Sequence, residues 1–205
     1  TAKRKNSEFA FLFLDLDNFK TINDSLGHHI GDELLINVSD VLKKVLRPND
    51  FIARVGGDEF VLIIQDFKSN LELTNIIKRV QEQLSKPWLI QTNPISTTCS
   101  VGIAIFPKDG QDIISLMKNA DIAMYEAKKH GRNTYHFFTE ELNDAVLRII
   151  NLDKEMRNAL KNNNYKLFYQ PKVCIETSKI IGAEALTRWI HPEKGFIAPS
   201  EFIPL

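Results

Sequence analysis

The sequence predicts an α/β (α+β) fold in which helices pack on a sheet. Apolar runs of strand character alternate with amphipathic helical patterns from residue 8 to residue 131. Two short strand-like segments flank Gly56-Gly57, which is a hairpin signal. From Glu140 the pattern changes to a heptad-like helix followed by two more strands, so the chain has a second region.

In chain order, "EFAFLFLDLD" (8–17) is apolar and aromatic and ends in alternating acids, the signature of a buried strand with a polar tip. The helical spacing of Leu34, Leu35, Val38, Val41, Leu42 and Val45 predicts a helix over 28–47, stopped by Pro48; the polar stretch 20–32 reads as the connection into it. "DFIARV" and "EFVLIIQ" are the two hairpin strands. An amphipathic helix over 70–85 ends before Pro87, and the β-branched stretch 96–106 is a strand. After the turn "PKDG" comes a helix over 112–131, with Gly131 as its C-cap. Leu142, Ala145, Ile149, Leu152, Met156 and Ala159 then occupy a and d positions; this helix either lies against one of its own domains or forms a self-association seam. Past the polar 161–164, strands at 165–175 and 180–189 surround the turn "ETSK". Two strands do not bury both faces, so they belong to a larger fold or dock on another copy.

Composition excludes several function classes. Lysine plus arginine and aspartate plus glutamate balance at 26 each, which argues against a broad footprint for nucleic acid or an anionic membrane. Any anionic ligand must be met locally. Cys99 and Cys174 stand alone in apolar runs, as in a reduced, cytoplasmic compartment rather than a disulfide scaffold. No apolar stretch reaches the roughly 18 residues of a bilayer span, which leaves open whether a parent protein is membrane-anchored. The start at Thr1 and the stop after "FIPL" predict a piece of a longer chain.

The chemistry concentrates in two acidic clusters. Strand periodicity puts Asp15 and Asp17 on one face, unfavourable neighbours unless a cation lies between them. If the hairpin bearing Asp58 and Glu59 pairs beside this strand, three or four carboxylates converge, an oxygen-only set suited to Mg²⁺ or Mn²⁺. Asn23 and Asp32 together present the donors and acceptors that guanine matches, although Asp32 also reads as a helix cap. Lys128 and Arg132, four apart across a helix end, could hold a triphosphate tail or simply complement the helix dipole.

Five blocks, "FLDLDNFKTINDSLGHHIGD", "RVGGDEF", "SVGIAIFP" with "DG", "ADIAMYEAK" and "GRN", stand in the order and spacing of the GGDEF family. Residues 8–138 thereby resemble the diguanylate cyclases. The resemblance implies a central, mostly antiparallel sheet related to the palm of nucleotidyl cyclases and polymerases, and condensation of two GTP into cyclic di-GMP with release of pyrophosphate. It implies two divalent metals per site on Asp15, the Leu16 carbonyl, Asp58 and Glu59. Asp58, alone or with Glu59, would help deprotonate the attacking 3′-hydroxyl. Asn23 and Asp32 would hold guanine. Lys20, Lys128 and Arg132 would hold phosphates, aided by main-chain N–H groups of Asn18 and Phe19. Gly56 and Gly57 would let the nucleotide lie on the hairpin backbone. Arg47 and Asp50, in "RPND", have the spacing of the family's inhibitory RxxD product site.

The tail, with "FYQPKV", "GAEALTRW" and "HPEKGFIAPSEFIPL", resembles the opening of an EAL phosphodiesterase domain, a (β/α)₈ barrel in which Glu184 would bind metal and Arg188 substrate phosphate. The division implied is a GGDEF domain over 1–138, without the family's preceding helix, a linker helix over 139–163 and the start of an EAL domain over 164–205, too short to be active. Catalysis would require a homodimer, each copy holding one GTP, within a parent that carries the rest of the EAL domain and an upstream sensor. The alternative is a silent GTP- or cyclic di-GMP-binding domain that regulates a phosphodiesterase.

Overall fold

The structure, a computed structural model, describes residues 8–203. Residues 1–7, where a preceding helix is expected to be lacking, and 204–205, the end of the last EAL-like block, lie outside the described residues. The chain divides into two compact units, Thr1–Asn143 and Asp144–Leu205.

The first unit is built on a five-stranded sheet. Its strands are β1 (Phe9–Leu16), β2 (Phe51–Gly56), β3 (Glu59–Gln65), β6 (Cys99–Phe106) and β7 (Tyr135–Phe137), in the order β2-β3-β1-β6-β7. Only the β6–β7 pair is parallel; the other pairs are antiparallel. β1 is central, which is why it reads as an almost unbroken apolar run. Ala10, Leu12, Leu14 and Leu16 join the core formed with helices α2 (His28–Val45) and α3 (Asn70–Leu84). Phe11 and Phe13 are also buried, and α4 (Ile113–Lys129) packs on β1 and β6. The strand's period of two therefore assigns Asp15 and Asp17 to the Phe11–Phe13 face.

Several boundaries differ from the sequence expectation. The stretch read as a polar connection is a helix, α1 (Phe19–Leu26), packed through Phe19, Ile22 and Leu26. Its apolar positions have helical spacing, but only one face is apolar. Gly27, at φ 89° and ψ 153°, separates α1 from α2. A small hairpin, β4 (Trp88–Ile90) and β5 (Asn93–Ile95), follows α3. Short strands such as these and β7 leave too few residues for a periodicity to register. α3 opens with the Ser69 hydroxyl accepting the Glu72 N–H, and α4 with a reciprocal Asp112–Ser115 capping box. The C-cap of α4 is His130, with Gly131 one position beyond it at φ 99°.

The second unit contains a three-stranded antiparallel sheet of β8 (Tyr165–Val173), β9 (Ile180–His191) and β10 (Gly195–Ile197), then the short α6 (Pro199–Phe202). β10 and α6 were not legible as elements in the sequence, being three and four residues long. Helix α5 (Glu140–Lys161) runs through the division between the units. Within the second unit Leu152, Met156 and Ala159 pack with fully buried Trp189, Ile197 and Phe202. That part of the heptad seam is spent inside the chain rather than on a partner.

Candidate active site

At the C-terminal end of β1 the sheet gathers the residues that the sequence singled out. Asp15 stands opposite Glu59 across the β1–β3 ladder and opposite Ser100 across β1–β6. The Leu16 N–H donates to the Asp58 carbonyl at 3.3 Å, which fixes the hairpin turn against the strand end. Across the turn the Arg54 side chain clasps the hairpin, its Nε donating to the Gly57 carbonyl at 2.9 Å. A β-carbon built on Gly56 or Gly57 meets nothing within 4 Å. The φ of 48° at Gly57 is one that glycine adopts without strain; Gly56 has no such conformational reason.

Asp15 is buried, and its carboxyl is held above the ordinary value of 3.8. Burial is the main cause, and the neighbouring charges of Asp58 and Asp17 add to it. The opposing influence is Lys128, whose Nζ lies 2.8 Å from Asp15 Oδ2. Lys128 comes from α4, and the close seating of that helix depends on Gly102 of β6. A β-carbon at Gly102 would fall 1.8 Å from the Ala120 carbonyl oxygen and 2.3 Å from the Met124 nitrogen.

Asp17 has a different role from its neighbour. Its carboxylate accepts from Thr98 Oγ1 at 2.6 Å, Ser100 Oγ at 2.7 Å and the Asn133 N–H at 3.1 Å. It ties β1 to β6 and to the loop after α4, so both of its oxygens are engaged by the protein. The arrangement of the acids is narrower than expected: Glu59 stands opposite Asp15 across the β1–β3 ladder and the Asp58 charge acts on Asp15, while Asp17 faces its own hydroxyl partners. Among the described residues no group of three or more His, Cys, Asp or Glu is gathered as a metal cage. The donors do fit a hard cation: the available atoms are carboxylate and carbonyl oxygens, and the Lys128 ammonium already rests against buried Asp15.

On the other side of the strand end, Asn18 takes a left-handed conformation (φ 60°, ψ 19°) and starts α1 without a side-chain cap. Phe19 is buried beneath it and Lys20 is exposed. The Asn23 amide oxygen is buried with no hydrogen-bond partner. It lies against Gly31 of α2: a β-carbon there would come within 1.9 Å of it, so the Asn23 side chain would have to move. Asp32, next to Gly31, is exposed and is not the N-cap of α2; that position is Gly27. Asp32 lines a concavity of about 460 Å³ with Leu35, Ile36, Arg54 and Phe60.

One expectation of side-chain geometry changes. Lys128 and Arg132 do not form a helical i, i+4 pair: the helix stops at Lys129, and Arg132 has φ 62° with its N–H on the Ala127 carbonyl. Nor do Arg47 and Asp50 pair through their side chains. Asp50 Oδ2 accepts the Arg47 main-chain N–H at 2.9 Å, whereas the Arg47 guanidinium donates to Glu72 Oε1 at 2.7 Å. In the second unit, Glu184 and Arg188 lie on β9; Glu184 is 3.6 Å from Lys172 Nζ, and Arg188 Nη1 donates to the Thr187 carbonyl. The contributions of Ser100, Thr98, Arg54 and Glu72 were not read from sequence. Each acts through a contact distant along the chain or inside a turn, and no local pattern marks it.

Solved structures place this fold among cyclase-type domains. It is similar to the GGDEF domain of YfiN (TpbB) from Pseudomonas aeruginosa (TM-score 0.68, 31% identity, 71% of this chain and 86% of that one). It also resembles an EAL/GGDEF domain protein from M. capsulatus (TM-score 0.63, 40% identity, 66% and 88%). A third likeness is the GGDEF domain of DgcB from Caulobacter crescentus, solved in complex with c-di-GMP (TM-score 0.60, 28% identity, 66% and 81%). The family model "Diguanylate cyclase, GGDEF domain" matches residues 1–134, and "EAL domain" matches 153–205. The chain belongs to the GGDEF family and continues into the start of an EAL domain. It is 43% identical over 204 residues to the bifunctional diguanylate cyclase/cyclic di-GMP phosphodiesterase MucR of Pseudomonas aeruginosa, covering 100% of this chain and 30% of that protein. It is 40% identical over 198 residues to the cyclic di-GMP phosphodiesterase PdeR of Escherichia coli, covering 97% and 30%. The chain thus spans less than a third of the length of these relatives. Among the described residues no helix is long and apolar enough to cross a membrane.

Proposed function

We propose that the first unit is one half-site of a diguanylate cyclase, active when two copies face each other with one GTP each. The observation that supports this most is the buried Asp15 at the strand end, beside the Asp58 turn and already touching a cation, Lys128. A buried carboxylate with a raised pKa is costly to keep unless the site uses its charge.

In this reading Asn23 and Asp32 hold guanine, the orphaned Asn23 oxygen gaining its partner from the base. Gly56 and Gly57 leave open the space that the nucleotide fills. Lys20, Arg132 and the N–H groups of Asn18 and Phe19 hold the phosphates. Lys128 joins them once it is released from Asp15. Asp58, with Glu59 beside it, takes the proton from the 3′-hydroxyl. The 3′-oxygen then bonds to the α-phosphorus of the other GTP and pyrophosphate leaves; the same exchange in the opposite sense closes the ring. Asp15, the Leu16 carbonyl, Asp58 and Glu59 would hold two Mg²⁺ or Mn²⁺ ions, which when bound offset phosphate charge and lower the pKa of the attacking hydroxyl. Arg47 and Asp50 form a product-binding brake. In residues 153–205, which match the EAL domain, Glu184 would bind metal and Arg188 substrate phosphate.

A second reading, a GTP-binding domain that only regulates a phosphodiesterase, draws on the similarity to PdeR. The test is to incubate the protein, and a version fused to a dimerising segment, with GTP and Mg²⁺ or Mn²⁺ and to separate the products chromatographically. Cyclic di-GMP from the fused dimer, lost at least 100-fold (roughly 2.7 kcal/mol) in Asp58→Ala, is the expected outcome. GTP binding without product from the dimer would favour the regulatory reading, and full activity in Asp58→Ala would overturn the role of that residue.

A further inference from the structure

The Arg47 guanidinium is not free. It is bonded to Glu72 Oε1 at 2.7 Å, across a gap of 25 residues between the loop after α2 and the first turn of α3. Glu72 is held in place independently of Arg47. Its Oε2 accepts the Lys68 N–H at 2.8 Å, and its own N–H donates to Ser69 Oγ at 3.3 Å. The positive end of the α3 dipole favours the same carboxylate. These contacts hold its pKa below the ordinary 4.5, the Lys68 N–H first and Arg47 next, so it is charged at neutral pH. The carboxylate therefore stays, and stays negative, whether or not Arg47 is bonded to it.

We propose that Glu72 is an internal competitor for Arg47 that sets how tightly the brake site binds a cyclic dinucleotide. This rests on the reading of Arg47 and Asp50 as that site. Such a ligand offers Arg47 two kinds of acceptor, the N7 and O6 atoms of guanine and anionic phosphate oxygens. Either must share the guanidinium with Glu72, whose bond takes an Nη2 hydrogen and so removes one of its two-donor edges. The ligand's two phosphate charges also approach a fixed like charge. Asp50, a carboxylate, has no donor to add, and its oxygens accept the main-chain N–H groups of Arg47 and Gln65. Arg47 is 47% exposed in its side chain, so a ligand reaches it without any movement of the helices.

Glu72→Gln removes the charge and keeps a side-chain oxygen that can accept the Lys68 N–H, with the Ser69 cap untouched, so α3 is retained. Calorimetric titration of the full chain with cyclic di-GMP, without GTP, measures the effect. The expected result is about fivefold tighter binding by Glu72→Gln, the scale of one partly exposed ion pair. The gain shrinks as salt is raised. It disappears when Arg47→Ala is added. If wild-type binding depends on Arg47 but Glu72→Gln binds equally or more weakly, Glu72 is not a competitor, and weaker binding makes it a positioning residue instead. If the wild type does not bind, or Arg47→Ala binds unchanged, the brake-site reading falls and this inference falls with it. Circular dichroism melts of each variant confirm that α3 is intact.

Discussion

Replacing Gly56 by alanine separates a glycine kept for the fold from one kept for a ligand. The residue lies outside the left-handed region, and an added β-carbon meets no atom within 4 Å. In the unliganded protein the substitution should therefore be neutral or stabilising by up to about 1 kcal/mol, through the smaller entropy of the unfolded chain. If a nucleotide lies against the hairpin, the same methyl overpacks the complex by about 1–3 kcal/mol. At about 1.4 kcal/mol per tenfold, that is roughly a 5- to 150-fold loss of affinity. Urea unfolding gives the first quantity, and titration with a fluorescent GTP analogue in Mg²⁺ gives the second. Gly102→Ala is the control with the opposite signature. Its β-carbon would lie 1.8 Å from the backbone of α4, so the helix must move and about 3 kcal/mol or more of stability is lost. If Gly56→Ala unfolds at clearly lower urea, the glycine is structural; if it binds the analogue as the wild type does, no nucleotide lies against the hairpin there.

Two further outcomes follow from the acids. Asp17→Ala should cost about 3 kcal/mol in urea unfolding, because it strands the buried Ser100 hydroxyl together with Thr98 and the Asn133 N–H; unchanged stability with lost metal affinity would instead make Asp17 a ligand. Asp15→Asn should raise the melting temperature at neutral pH in EDTA and without nucleotide. The native Asp15 carboxyl binds its proton more tightly than the unfolded one, so its favourable contribution is complete below 3.8 and lost as pH rises through the raised native value. The margin of the asparagine variant should widen over that rise, and a lower melting temperature at pH 7 would mean that the Lys128 pair outweighs burial.

Long, strongly patterned segments were legible in the sequence. β1, α2, α3, β6 and α4 were all expected close to where they occur, because each has enough residues for its apolar period to stand out. The GGDEF and EAL assignment was legible for a related reason: motifs such as "RVGGDEF" need particular residue types in contiguous places. α1 was missed because one narrow apolar face inside a polar stretch resembles a loop, and β4, β5, β7 and β10 were missed because three residues show no period.

The sequence by itself determined the layered fold, the hairpin, and which acids stand at its turn and at the end of the first strand. Tertiary structure alone decided how those acids divide the work. Asp15 and Asp17 are two residues apart on one strand face, yet one meets an ammonium from α4 and the other two hydroxyls and a main-chain N–H from β6 and a distant loop. Likewise the Arg47 guanidinium is bonded to Glu72, while Asp50 of the same motif accepts the Arg47 main-chain N–H. A carboxylate's charge is written in the chain, but its partners are set by packing, and it is the partners that decide whether the charge is spent on the fold or kept for a ligand.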